Sequence, residues 1–153
     1  MPAPQQIQPK TLGDYLEVMS KTIFQAGISW KVVENRWPGI RDAFRGFQPL
    51  AVASFSEREL AELGDDKRII RNRRKIEAIV DNARQMIELD ERFGGFRDYL
   101  RSHGSFDATA ADLRKRFRFL GEHGTYYFLY VVGEDVPPHE EWARARGLKI
   151  PGD

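Results

Sequence analysis

At 153 residues, with 41% hydrophobic and 31% charged positions, the chain has the size of one globular domain and enough apolar side chains to bury a core. It has no cysteine, which excludes disulfides and thiolate zinc or iron–sulfur sites and points to a reducing cytoplasm. No apolar run approaches the roughly 18 residues of a membrane span, and the polar N-terminus MPAPQQIQPK does not read as a signal peptide. The expectation is a monomeric cytoplasmic protein away from membranes. With a net charge of only +1, its partner class must be read from where the basic residues sit.

Residues 1–10 lack periodicity and are expected to form a loose arm. Thr11 and Asp14 have capping-box spacing, and Leu12, Tyr15, Leu16, Met19 and Ile23 follow at helical spacing, which predicts a first helix running into Phe24. Gly27 ends or bends it. Ser29 is placed to cap a second helix containing Val32 and Val33, and Pro38 suits the first turn of a third that carries Ile40, Ala43 and Phe44. A short helix near Leu50 to Ala53 follows, and then one opened by the box of Ser56 and Glu59 that ends at Gly64. Ile76, Ile79, Val80, Ala83, Met86 and Ile87 keep one face apolar over Asn72 to Arg92, the central helix, which Gly94-Gly95 stops. Short helices over Phe96 to Leu100 and Ala110 to Lys115 complete this part. No convincing alternating segment appears, so the fold is expected to be all-α, a single compact domain of many short helices.

Two stretches carry the chemistry. QAGISW, from Gln25 to Trp30, places a bare backbone step, a bulky wedge and a flat aromatic within one turn of each other, which suits handling a nucleobase; Trp30 would equally serve as a core residue. In FRFLGEHGTYYFLYVVG, from Phe117 to Gly133, a helix ending in basic residues meets a Gly-x-x-Gly turn and restarts at Thr125. This is either a helix-hairpin-helix that offers backbone N–H groups and a helix N-terminus to a phosphate, or an ordinary αα-hairpin packed in the core. Basic residues gather at Lys67, Arg68, Arg71, Arg73, Arg74 and Lys75, and again at Arg114, Lys115, Arg116 and Arg118. Such clustering reads as a phosphate-backbone footprint or as solvated helix ends, and makes nucleic acid the leading partner class.

Taken together, QAGISW, ENRWPGIRDAFRGFQP at 34–49, IIRNRRKIEAIVDNAR at 69–84 and FRFLGEHGTYYF at 117–128 resemble the DNA-3-methyladenine glycosylase I family, a branch of the helix-hairpin-helix glycosylases. The resemblance spans Leu12 to Gly133. It implies a glycosylase-like domain over 11–133 with its hairpin at 117–128, an arm over 1–10 and a tail over 134–153. It also implies an enzyme of base-excision repair that flips an alkylated purine such as 3-methyladenine out of double-stranded DNA and hydrolyses its N-glycosidic bond; no Lys stands where Schiff-base lyase chemistry would need one, so the enzyme is expected to be monofunctional, and no cofactor or metal is expected. The alternative reading is a non-catalytic module that recognises distorted or damaged duplex.

By the same resemblance Trp30 stacks on the base, Gly27 and Ile28 lie against the gap in the duplex, and the turn of Gly121, Gly124 and Thr125 holds the backbone; His123 in that turn either reaches a phosphate or is simply exposed, and Arg71 and Arg73 of the first basic cluster are candidate DNA contacts. The family has a Glu eight residues before the Trp; here that position is Thr22. Its N-terminal pocket segment has no counterpart in MPAPQQIQPK, and its Cys/His zinc site cannot form without cysteine. Asp135, just after the hairpin's second helix, is the candidate substitute carboxylate; its other reading is an acid solvating a helix C-terminus. Trp142, in PPHEEW, either supplies an aromatic to the pocket or packs the tail.

Overall fold

The computed structural model describes residues 4–148. Among them are nine α-helices, one 3-10 turn and no strand: α1 (Leu12–Gln25), α2 (Trp30–Ala43), the 3-10 turn (Arg45–Phe47), α3 (Pro49–Ala53), α4 (Glu57–Asp65), α5 (Arg73–Phe93), α6 (Phe96–Leu100), α7 (Phe106–Arg116), α8 (Glu122–Val131) and α9 (His139–Ala145). The all-α expectation holds. Both predicted capping boxes form, with Thr11 Oγ1 accepting from the Asp14 amide and Ser56 Oγ from the Glu59 amide.

Helices α1 and α5 form the centre, with α8 laid against α1 and α3, α4 and α6 against α5. Leu16, Met19 and Ile23 of α1 and Ile76, Ile79, Ala83 and Met86 of α5 are fully buried, each set at helical spacing. Burying each of the large side chains among them contributes about 1.5–3 kcal/mol. Gly94, at φ +74, ends α5 in the left-handed conformation.

Three boundaries depart from the sequence reading. Pro38 does not open a third helix but sits inside α2. The ring removes one hydrogen bond, yet Val33, Trp37, Ile40 and Phe44 form one buried stripe across it, and packing carries the helix through. Helix α7 starts at Phe106, because Ser105 Oγ accepts from the Ala108 amide and so caps it earlier. Helix α8 starts at Glu122 rather than Thr125, with Gly121 as its N-cap.

The described parts of the arm and of the tail both pack on α8. In the arm, expected to be loose, the Ile7 amide donates to the Val131 carbonyl at 2.8 Å and Gln6 Nε2 to the Tyr130 carbonyl at 2.9 Å. In the tail, α9 packs Trp142 and Ala143 on Tyr126, a small apolar cluster separate from the main core.

Candidate active site

Helix α1 presents Asp14, Glu17, Val18, Lys21, Thr22 and Gln25 along one stripe, the i, i+3, i+4 rows of a single face. That stripe is the floor of an open cavity of about 650 Å³. Trp30, Lys31, Glu34 and Trp37 of α2 form one wall, Tyr127 and Val131 of α8 another, and Pro4, Gln5 and Ile7 of the arm close the end.

Trp30 is half-buried, and the edge-to-face contact with Tyr127 holds its indole, with centroids 5.1 Å apart and planes at 83°. Thr22, 8% exposed, donates its hydroxyl hydrogen to the Met19 carbonyl at 2.8 Å. Its oxygen is therefore left as an acceptor. Glu17 accepts from Trp37 Nε1 at 2.9 Å and from Arg41 Nε at 3.2 Å. Lys21 pairs with Glu34 at 2.6 Å and stands 5.5 Å from the Trp37 ring centroid. The walls are thus aromatic and the polar groups that face the cavity are largely pre-bonded, an arrangement suited to a flat polar heterocycle.

At the mouth, Gly27 takes φ +76 with open space around its Cα, and Ile28 beside it is half-buried against the core. Behind this loop lies Lys75. Only 6% exposed, it donates from Nζ to the Ala26 carbonyl at 2.8 Å, and burial pushes its ammonium below the usual lysine range. Ala26 caps the C-terminus of α1, where a cation meets the negative end of the helix dipole.

The hairpin turn is fixed by α5. Asn82 donates from Nδ2 to the Arg118 carbonyl at 3.0 Å and accepts from the Arg118 amide at 2.8 Å. Gly121 opens α8 without a side-chain cap, so that no N-cap side chain satisfies the first-turn amides. A Cβ on Gly124 would lie 3.8 Å from Thr22 Oγ1, so this glycine brings α8 close to the cavity floor.

Several sequence-predicted residues lie elsewhere. Asp135 is exposed and lines a separate cavity with Arg101, Ser105 and Thr109. The chain reverses at Gly133, φ +83, and Arg101 pairs with Glu134, which draws 134–135 towards α6 and away from Trp30. Trp142 is 3% exposed and packs on Tyr126 with centroids 4.5 Å apart and planes tilted by 31°, while the neighbouring Tyr127 faces the cavity from the adjacent side of α8. His123 does not stand free in the turn. It lies among Tyr127, His139 and Trp142, and burial together with the neighbouring His139 lowers its pKa. Thr125 is fully buried because α8 begins a turn earlier than expected.

The basic clusters also divide. Arg68 pairs with Asp66 and Asp42, Arg73 with Glu77, Arg114 with Glu122, Arg116 with Asp112 and Arg118 with Asp81. Lys67, Arg71, Arg74 and Lys115 are exposed and form no ion pair among the described residues; the Arg74 guanidinium lies 5.9 Å over the exposed Phe119 ring. The sequence reading missed Tyr127, Trp37 and Glu17, and within QAGISW it gave no role to Gln25. The polar residues on the buried side of α1 were the signal that could have found the last two.

The methyladenine glycosylase family profile matches residues 12–116. The DNA-3-methyladenine glycosylase 1 of Escherichia coli K12 is 31% identical over 130 residues, 71% of this chain and 70% of its own. A crystal structure of 3-methyladenine DNA glycosylase I superposes with a TM-score of 0.72 at 28% identity, over 83% of this chain and 81% of that one. The fold is also that of the Staphylococcus aureus 3-methyladenine DNA glycosylase I, with a TM-score of 0.74 at 24% identity over 84% and 80% of the two chains. The matched residues include the Gly27–Ile28 loop, Trp30 and most of the residues that line the cavity, and the chain belongs to the methyladenine glycosylase family.

Proposed function

We propose that the protein is a monofunctional DNA glycosylase that flips an alkylated purine, 3-methyladenine in the first instance, from double-stranded DNA into the cavity beside Trp30 and hydrolyses its N-glycosidic bond. It acts as a cytoplasmic monomer. The observation that carries this reading is the 650 Å³ cavity beside the Gly27–Ile28 loop, with Trp30 and Tyr127 on its walls. Alkylation at N3 makes the purine cationic and a good leaving group, so the protein has mainly to hold the extruded base while water attacks the sugar.

The chain's own groups fit that task. Trp30 supplies a face for the ring, and stacking worth about 1–3 kcal/mol offsets much of the cost of flipping. Thr22 Oγ1, its hydrogen already given to Met19, can accept from an exocyclic amine. Gly27 and Ile28 sit where the strand gap would lie, and the exposed cations Lys67, Arg71, Arg74 and Lys115 together with the first-turn amides of α8 serve the phosphates.

The test is incubation with methylated duplex followed by chromatography of the released bases. Release of 3-methyladenine at a rate above the spontaneous background is expected. No release, under conditions where the Escherichia coli relative is active, overturns the reading.

A further inference from the structure

We propose that Lys75 is a positioning residue that sets the wedge loop, Gly27–Ile28, against the hairpin turn, acting with Asn82 on the same face of α5. Lys75 and Asn82 are seven residues apart, two helical turns, which puts their side chains in register and about 10.5 Å apart along the axis. Each reaches across to the backbone of a different functional segment. Lys75 Nζ holds the Ala26 carbonyl, the step before Gly27 and Ile28, and Asn82 holds both the amide and the carbonyl of Arg118 at the hairpin turn. Helix α5 thereby works as a ruler between the loop that enters the duplex and the turn that grips its backbone.

A buried lysine is a costly way to satisfy one carbonyl. It forms no ion pair among the described residues, and it occupies the third position of α5, where the helix dipole opposes a cation. The sequence places it within a basic run, yet it is buried while Arg73 and Arg74 are exposed, so it is not part of the phosphate footprint. Within the loop the Ile28 amide donates to the Gln25 carbonyl at 3.2 Å, and Gly27, at positive φ, has nothing within 4 Å of where a Cβ would lie. The bond from Lys75 is the side-chain restraint on Ala26 at the loop's start, and the Ser29 cap restrains its end.

The inference rests on the glycosylase reading only for one of its readouts. The experiment compares the wild-type full chain with Lys75→Met and Lys75→Arg, on intact duplex, on duplex carrying a tetrahydrofuran abasic analogue, and on methylated DNA. Met fills the space without burying a charge, so the unfolding midpoint and intact-duplex affinity are expected to stay close to wild type. The preference for abasic over intact duplex is expected to fall about tenfold or more, with a matching fall in single-turnover base release, because an unrestrained loop must be ordered on binding. Lys75→Arg, which keeps a donor, restores most of both. Wild-type preference and release in Lys75→Met overturn the proposal. So does an equal loss of stability and of intact-duplex binding in both variants, which would reduce Lys75 to a structural group. If the wild type releases no base, the glycosylase reading falls, while the abasic preference still decides the role of Lys75.

Discussion

Trp30 and Tyr127, from helices 97 residues apart in sequence, meet edge to face with centroids 5.1 Å apart, and Tyr127 is backed in turn by His139 of the tail at 5.6 Å. The stacking face of Trp30 is thus set by α8 and indirectly by α9. Trp30→Ala should lower single-turnover base release by roughly 5- to 150-fold, the equivalent of about 1–3 kcal/mol of lost stacking. Tyr127→Ala should cost part of the same effect by freeing the indole. Tyr127→Phe should cost little, because the hydroxyl lies 3.5 Å from His139 Nε2, at the limit of a hydrogen bond. A Tyr127→Ala variant with wild-type release would show that the edge contact does not orient Trp30.

Glu17 is one of two carboxylates on the cavity floor, beside Asp14 of the capping box, and it has two partners of its own. Its side chain is 25% exposed, Trp37 Nε1 bonds one oxygen at 2.9 Å, and the well-exposed Arg41 meets the other. Glu17→Gln preserves an acceptor for Trp37 and removes the charge. Release of a cationic alkylated purine should slow by roughly fivefold, about 1 kcal/mol for a partly screened charge, while release of a neutral lesion base should be unchanged. The measurement is the ratio of the two release rates in the variant and the wild type, and an unaltered ratio would exclude a charge role for Glu17.

The sequence showed the helices that carry strong periodicity or caps, such as α1, α5 and the box-capped α4, because a single face or a single side-chain bond decides them. It misread Pro38, where tertiary packing of Trp37 and Ile40 outweighs a local breaker. Trp30 and Thr22 were legible as neighbours because both flank one loop. Glu17, Trp37 and Tyr127 were not, since they converge only once α2 and α8 are laid on α1. Trp142 and Asp135 each had two readings, because proximity in sequence to the hairpin does not say where the chain goes after α8: Trp142 packs the tail on Tyr126, one of its two expected roles, and Asp135 lines a separate cavity.

Charge pairing predicts which cations meet DNA. Arg71 and Arg74 are exposed and without a carboxylate partner among the described residues, whereas Arg68 is held between Asp66 and Asp42. Arg71→Ala and Arg74→Ala should each reduce the slope of log affinity against log salt by about 0.9, the value for one phosphate contact. Arg68→Ala should leave the slope nearly unchanged, since its charge is already compensated. Fluorescence anisotropy on an undamaged duplex at several salt concentrations measures all three. A slope lowered by Arg68→Ala and not by Arg71→Ala would place the footprint elsewhere.

His123 predicts a pH dependence with a defined sign. It is partly buried beside Tyr127 and Trp142, with His139 at 5.9 Å, and burial first and His139 second lower its pKa, against a smaller opposing pull from Glu122. The folded state therefore takes up a proton at lower pH than the unfolded chain, whose histidine titrates near 6.5. Below that value the unfolded state binds more protons, so the stability that His123 contributes is fully present above it and is lost as the pH falls towards the folded pKa. Thermal unfolding followed from pH 7.5 down to 5.5 should show a midpoint that falls with pH. His123→Gln, which cannot titrate, should flatten that slope, while changing little at pH 7.5. Because Tyr127 joins His123 to Trp30, the wild type should also show a change in tryptophan fluorescence over the same interval that His123→Gln lacks. Equal slopes in the two proteins would show that the titration of His123 is not linked to folding.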